Sequence, residues 1–425
     1  MSDLRGRGKR AALHNLGCKT NAYETEAMAE ILKDDGYTIV DFSEKADVYV
    51  INTCTVTNIA DRKSRQMLHR AKKMNPEAIV CACGCYVQTA DMKNFEDDDS
   101  IDVFIGTNEK SRIAEGIDEY IKTGKKVKYI ADLSKEKDYE NMRVRVSESH
   151  ARAFVKVQDG CNRFCSYCII PFARGRLRSA RPEDVIEEVS GLAKRGFKEV
   201  VLTGIHITSY ENDGRTLVDL ICEIDKIPGI ERIRLGSVEP GWITDDVAKT
   251  LSSLKSFCPH FHLSLQSGSK SVLERMNRKY TPDEFALKCD ILRKYFFDPA
   301  LTTDIIVGFP GETDEEFNET LQFAKRIAFY EIHVFKYSMR AGTAAAKMDG
   351  QLTDSVKTER SHLLMEEAAR LKEEFESRRR SASLEVLIEE YDGTAYKGHS
   401  AEYIELTLPA KEGEYELGEI YKVKW

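Results

Sequence analysis

Between positions 11 and 125, short apolar runs alternate with longer amphipathic stretches. The runs 11–16, 48–52, 78–83 and 103–105 read as strands, and 23–35 reads as a helix that Gly36 can close in a left-handed conformation. This alternation predicts a parallel sheet with covering helices. The stretch 134–149 is charged and lacks apolar periodicity, so it reads as a linker. Beyond it, six strand candidates (154–157, 199–203, 232–235, 261–265, 301–307 and 332–337) are separated by helical patterns. Six βα units suit a partial (β/α)6 barrel better than a doubly wound sheet. Residues 354–380 predict one long charged helix, and from Ser383 the alternation Glu-Val-Leu-Ile-Glu and Tyr-Ile-Glu-Leu-Thr-Leu predicts a small all-β module. The expected fold class is α/β: an N-terminal parallel α/β sandwich over 9–125, a partial barrel over 147–378 and an all-β module over 381–425.

The 425-residue length also favours two or three domains over one core. No apolar run approaches the ~18 residues of a spanning helix. The charged N-terminus is followed by no apolar stretch, so a secretory signal is not expected and a cytoplasmic location is. In that setting eleven cysteines point to metal-binding thiols rather than disulfides. A net charge of -8 gives no global signature of nucleic-acid binding, which leaves local patches as the place to look.

The strongest chemical signal is Cys161-Asn-Arg-Phe-Cys165-Ser-Tyr-Cys168, just after a predicted strand. Three thiolates at these spacings suit three irons of a [4Fe-4S] cluster and leave the fourth iron open; a tetrahedral zinc site would need a distant fourth ligand. The motif resembles that of the radical SAM superfamily. The resemblance implies that Cys161, Cys165 and Cys168 hold a cluster whose open iron binds S-adenosylmethionine (SAM), which is cleaved on reduction to a 5′-deoxyadenosyl radical. It also implies that Tyr167 lies against the adenine, and that Thr203 and Gly204, with Gly308 of Ile306-Val-Gly-Phe-Pro-Gly311, contact the cofactor. Gln266 and Ser267 of the Gln-Ser-Gly-Ser string, which precedes Met276-Asn-Arg278, read either as ribose or substrate contacts or as a structural turn.

Three further cysteines end predicted strands, in Leu16-Gly-Cys18-Lys-Thr-Asn21, Asn52-Thr-Cys54-Thr-Val-Thr57 and Gly84-Cys85-Tyr-Val-Gln88. These strings resemble the N-terminal domain of the methylthiotransferases, which implies a second [4Fe-4S] cluster on Cys18, Cys54 and Cys85. Cys81 and Cys83 compete with Cys85, since alternate residues of a strand share a face; Cys85 is favoured because it alone sits in the Gly-Cys-Tyr turn. Cys222, Cys258 and Cys289 read as inert. The C-terminal segment resembles the RNA-binding module called TRAM, although its acidic balance disfavours phosphate contact. Basic character is concentrated instead at Arg174, Arg176, Arg178 and Arg181, read as contacts to RNA. With Leu202-Thr-Gly-Ile-His-Ile-Thr-Ser-Tyr210, these strings resemble the subgroup that acts on N6-threonylcarbamoyladenosine in tRNA. The resemblance further implies SAM as radical source and methyl donor, a sulfur source, and an electron donor such as a flavodoxin or ferredoxin. Alternative readings are the same chemistry on isopentenylated adenosine or on an aspartate of a ribosomal protein, and a non-catalytic iron-sulfur RNA-binding protein.

Overall fold

The computed structural model describes residues 6, 8–90, 95, 97–144 and 151–425. Its first unit is a six-stranded parallel sheet: β1 (Arg10–Asn15), β2 (Thr38–Val40), β3 (Val48–Thr53), β4 (Ile79–Gly84), β5 (Val103–Ile105) and β6 (Val127–Tyr129), in the order β2-β1-β3-β4-β5-β6. The period-2 alternation sorts side chains to two faces. Tyr49, Ile51, Val80 and Ala82 meet Leu68 and Ala71 of the helix Asn58–Met74 on one face. Val48, Val50, Cys81 and Cys83 meet Met28 and Leu32 of the helix Lys19–Asp34 on the other, together with Ile113 and Ile117. The order reverses between β1 and β3, and ligand crevices of open parallel sheets form at such a switch point, outside the strands' carboxyl ends. The outer strands β2 and β6 escape a sequence reading because each of these three-residue strands contains a polar residue, Thr38 or Lys128, whereas the equally short β5 is the wholly apolar, buried Val-Phe-Ile.

The second unit contains parallel strands in chain order. Arg152–Lys156, Glu199–Thr203 and Arg232–Leu235 form one sheet; Ser237–Val238, His260–Gln266, Ala300–Val307 and Glu331–Lys336 form the next. Gly236 alone separates the two sheets along the chain. This succession has none of the order reversal of a doubly wound sheet. Several surrounding helices begin with reciprocal capping boxes, at Thr216/Asp219, Thr281/Glu284 and Thr313/Glu316. The long charged helix runs Asp354–Ser377 and is tied down through Arg360, which bonds Glu312 at 2.7 Å and Asp314 at 2.7 Å.

The C-terminal unit is a four-stranded antiparallel sheet of Ser383–Tyr391, Ala395–Ser400, Glu405–Pro409 and Ile420–Lys424. It docks at the beginnings of the parallel strands. Arg232 donates to the carbonyls of His399 (2.9 Å) and Glu385 (2.6 Å), and Arg234 to that of Ala401 (3.0 Å). Tyr403, at φ +71°, stacks on His260 with centroids 5.0 Å apart. The carboxyl ends of the same strands lie away from this sheet and are left for chemistry. No helix among the described residues is long and apolar enough to cross a membrane.

Candidate active site: two cysteine triads at strand ends

The loop carrying Cys161, Cys165 and Cys168 follows the short strand Gln158–Asp159. Gly160 makes the turn at φ +73°, where an added Cβ would lie 1.8 Å from the carbonyl oxygen of Arg176. The Cys161 N–H donates to Gly175 O at 3.0 Å and that of Cys168 to Cys165 O at 3.0 Å. The turn Met276-Asn-Arg278 grips the loop from outside. The Ser166 N–H donates to Met276 O (3.0 Å), Asn277 Nδ2 to Phe164 O (3.0 Å) and Arg278 Nη1 to Cys165 Sγ (3.2 Å). Arg163 N–H lies 3.4 Å from Cys161 Sγ. Burial pushes the Cys168 thiol up to about 12, with the neighbouring Cys165 and Cys161 adding to the effect. A bound metal removes such protons outright. Three soft donors with N–H groups aimed at their sulfurs form a set that a three-cysteine iron-sulfur cluster fits.

Parallel register places the other triad. Asn15 is opposite Asn52, Asn52 opposite Cys83 and Thr53 opposite Gly84, so the residues that follow β1, β3 and β4 emerge together. Cys18 immediately precedes the helix Lys19–Asp34, without a capping bond from its side chain, and the helix begins four residues before the predicted start. Gly17, at φ +113°, lets the loop pass over Cys54, since an added Cβ would be 3.0 Å from its sulfur. Gly84, at φ +96°, ends β4 and starts the helix Cys85–Thr89. Burial pushes the Cys54 thiol up to about 11, with Cys85 and Cys18 both near enough to contribute. Cys81 and Cys83 remain within β4, fully enclosed in the core on the face packed by Met28 and Ile113.

The two triads are joined by packing of the helix Cys85–Thr89 against Ile170–Arg174, the helix that follows Cys168. Between them lies a buried ion network. Arg174 holds Glu24 through two bonds of 2.6 and 2.9 Å, Asp159 at 3.1 Å and Asn21 Oδ1 at 2.5 Å. Lys110 pairs with Glu24, and Lys156 joins Glu24 to Asp159 at 2.7 Å each. Burial pushes the Glu24 carboxyl up, but Arg174, Lys110 and Lys156 outweigh it and hold the group well below the usual range. Burial likewise raises the Cys85 thiol, and Arg174 and Lys110 draw it back down.

The expected RNA contacts therefore divide. Arg174 is fully enclosed and Arg178 is 3% exposed, its Nη2 donating to Arg174 O at 2.9 Å, so neither is free to meet a substrate; this corrects the sequence reading. Arg181 is exposed but forked onto Asp184 (2.8 and 3.0 Å). Arg176 is exposed beside the cysteine loop. Ser267 is also corrected: it is fully buried, 3.2 Å from Thr320 Oγ1 and accepting from the Ser269 N–H, a structural turn rather than a ribose contact. Gln266 ends its strand at φ +73°. Thr203 ends its own strand beside Gly204, where an added Cβ would be 3.0 Å from Gln158. Gly308 sits at φ +72°, a conformation that favours glycine, with Lys357 Cγ 2.4 Å from an added Cβ. Tyr167 packs near Arg278, Cys165 and Cys168. Arg278, bonded also to Glu239, is a contact to the cysteine loop that the sequence reading missed; its string was noticed, but nothing in the spacing directs its guanidinium to a thiol more than a hundred residues away.

Comparison with known proteins bears on this geometry. A family model described as the radical SAM superfamily matches residues 155–324, and one described as an uncharacterized protein family, UPF0004, matches 10–106. The chain is 42% identical to threonylcarbamoyladenosine tRNA methylthiotransferase MtaB of Bacillus subtilis (strain 168) over 421 residues, 97% of this chain and 93% of that protein. A tRNA-2-methylthio-N(6)-dimethylallyladenosine synthase of Acetivibrio thermocellus is 36% identical, covering 90% of this chain and 81% of its own. The structure of the radical SAM methyltransferase TsrM from Kitasatospora setae, with cobalamin and a [4Fe-4S] cluster bound, is similar in fold alone: TM-score 0.56 at 13% identity, over 77% of this chain and 72% of that one. Identity of this degree along nearly the whole length, on a chain with both cysteine triads in place, shows that the protein belongs to the radical SAM methylthiotransferase family, with its threonylcarbamoyladenosine tRNA methylthiotransferases among its relatives.

Proposed function

We propose that the protein converts N6-threonylcarbamoyladenosine next to the anticodon of tRNA to its 2-methylthio derivative. The observation that carries this reading is the pair of cysteine triads at neighbouring strand ends, on a chain more similar to the threonylcarbamoyladenosine enzyme than to the dimethylallyladenosine one. The C2 hydrogen of adenine is not acidic enough for base catalysis, so a radical route suits the reaction. When bound, an iron-sulfur cluster with SAM would supply that radical, and a second SAM would supply the methyl group. Cys161, Cys165 and Cys168 hold one cluster and Cys18, Cys54 and Cys85 the other. Arg278 orients the first loop through Cys165, and Tyr167, Thr203, Gly204, Gln266 and Gly308 are the residues that would hold the cofactor.

We place the domains at 9–125, 147–378 and 381–425, the boundary at 147 lying outside the described residues, and read the last as a TRAM module. The base leaves its stack to enter, a smaller cost in a single-stranded anticodon loop than in a duplex. The remaining partners are an electron donor of the flavodoxin or ferredoxin kind and a sulfur source, and the tRNA substrate puts the enzyme in the cytoplasm. Mass spectrometry of tRNA nucleosides from cells with and without the protein tests the assignment. The methylthio form of threonylcarbamoyladenosine should vanish without it; loss only of the isopentenylated product, or of neither, overturns the reading.

A further inference from the structure

Two aromatic rings beside the first cysteine loop are left in water. Phe164 is 36% exposed and Phe172 54%, and they form an edge-to-face pair with centroids 5.8 Å apart. Phe164 lies between Cys161 and Cys165 at φ +49°, a left-handed conformation unfavourable for a bulky side chain. Asn277 holds it there through its carbonyl. Phe172 is on the helix Ile170–Arg174 that follows Cys168. The Arg176 guanidinium stands over the Phe164 ring, 5.0 Å from its centroid. The rings and Arg176 line a groove of about 360 Å³ together with Gln88, Leu133 and Asp132, whose carboxylate is paired with Lys135 at 3.0 Å. Strain held in place by neighbours clusters at functional sites.

We propose that this groove is a nucleobase-stacking site, which takes an unpaired base of the anticodon loop flanking the modified adenosine. It rests on the tRNA reading above and adds the residues that grip the RNA. An aromatic face accepts any base, while the adjoining guanidinium, which has no hydrogen bond or ion pair among the described residues, suits a backbone phosphate. This combination of ring and cation selects unpaired nucleic acid over an apolar peptide, whose side chains would give Arg176 no anion. The acidic C-terminal sheet docks at the opposite ends of the strands, which leaves the gripping of phosphate to this face.

The test uses the full-length protein with both clusters reconstituted. Its probe is an anticodon stem-loop carrying threonylcarbamoyladenosine, with 2-aminopurine at the adjacent 3′ position. Wild type should bind it and quench the 2-aminopurine. Phe172→Ala should weaken binding about tenfold and lose the quench, whereas Phe172→Trp should keep both. Arg176→Gln should weaken binding and lower its salt dependence by about one counterion while keeping the quench. Iron content and melting temperature, read on each variant, identify one that has failed to fold. If wild type binds and Phe172→Ala and Phe164→Leu bind and quench equally well, the stacking site is overturned and the tRNA reading stands. If folded wild type does not bind the stem-loop at all, the tRNA reading itself falls.

Discussion

Arg174 and Arg176 are two positions apart and of one chemistry, yet the fold gives them opposite work. The left-handed Gly175 between them (φ +71°) turns one guanidinium into the ion network and the other outward. Removing one partner of a buried network leaves the others uncompensated, typically at a cost of about 3–5 kcal/mol. Arg174→Ala should therefore lower the unfolding free energy by about that much. Arg176→Ala should leave it within about 0.5 kcal/mol, as exposed sites usually do. Denaturant unfolding of the two variants side by side separates these expectations; equal, small losses would remove the network from its structural role. Sequence could not divide the arginines, because the carboxylates that claim Arg174, Glu24 and Asp159, are identified only once two domains have met.

At the scale of elements, register accounts for what was legible. Within the two parallel units, strands of four or more residues announced themselves by composition, and the three cysteine turns at their ends followed from the chain's own alternation. Cys81, Cys83 and Cys85 could not be ranked by alternation, which puts them on one face; Gly84 separates them by ending β4 and swinging Cys85 out of the sheet. Cys81→Ala and Cys83→Ala should accordingly keep full iron, and Cys85→Ala should lose about half of it, as measured by iron and sulfide assay. The charged stretch expected as a linker, 134–149, lies outside the described residues from 145 onward, and its end at Met142 and Val144 is docked, which its charge did not signal. Met142 and Val144 are 4% and 2% exposed against Tyr23 and Ala27, and the Val144 N–H donates to Glu188 at 3.2 Å. Burial pushes the Glu188 carboxyl up to about 7, against the Val144 and Tyr23 hydrogen bonds that pull it down. A carboxyl raised in the folded state is neutral in both states below about pH 4.5. As pH rises toward 7 the unfolded chain ionises first and the fold loses stability, by at most about 1.4 kcal/mol for each step of one in pH. Glu188→Gln should thus match wild type near pH 5 and exceed it by about 2 kcal/mol at pH 8. Denaturant midpoints at the two pH values check this, and a gain independent of pH would refute the linkage.

For the whole molecule, the assembly of the units matters more than any one of them. The N-terminal sheet presents its triad at a topological switch point, the parallel strands present theirs at carboxyl ends, and the helices Cys85–Thr89 and Ile170–Arg174 pack these ends together. The antiparallel sheet stops the other end through Arg232, Arg234 and Tyr403. Each unit was readable from its own periodicity, whereas the contacts that align them join residues 150 or more positions apart and carry no local pattern. If each triad holds its own cluster, the two should be separable in the intact chain. Anaerobic reconstitution should give about eight irons per chain. Replacing Cys161, Cys165 and Cys168 together by alanine should leave about half and abolish 5′-deoxyadenosine formation. Replacing Cys18, Cys54 and Cys85 should also leave about half the iron but keep SAM cleavage, with methylthiolation lost. Iron analysis and chromatography of 5′-deoxyadenosine distinguish the two variants. Cleavage surviving in the first variant would place the radical chemistry elsewhere, and cleavage lost in the second with its remaining iron intact would mean that the two sites work only as one.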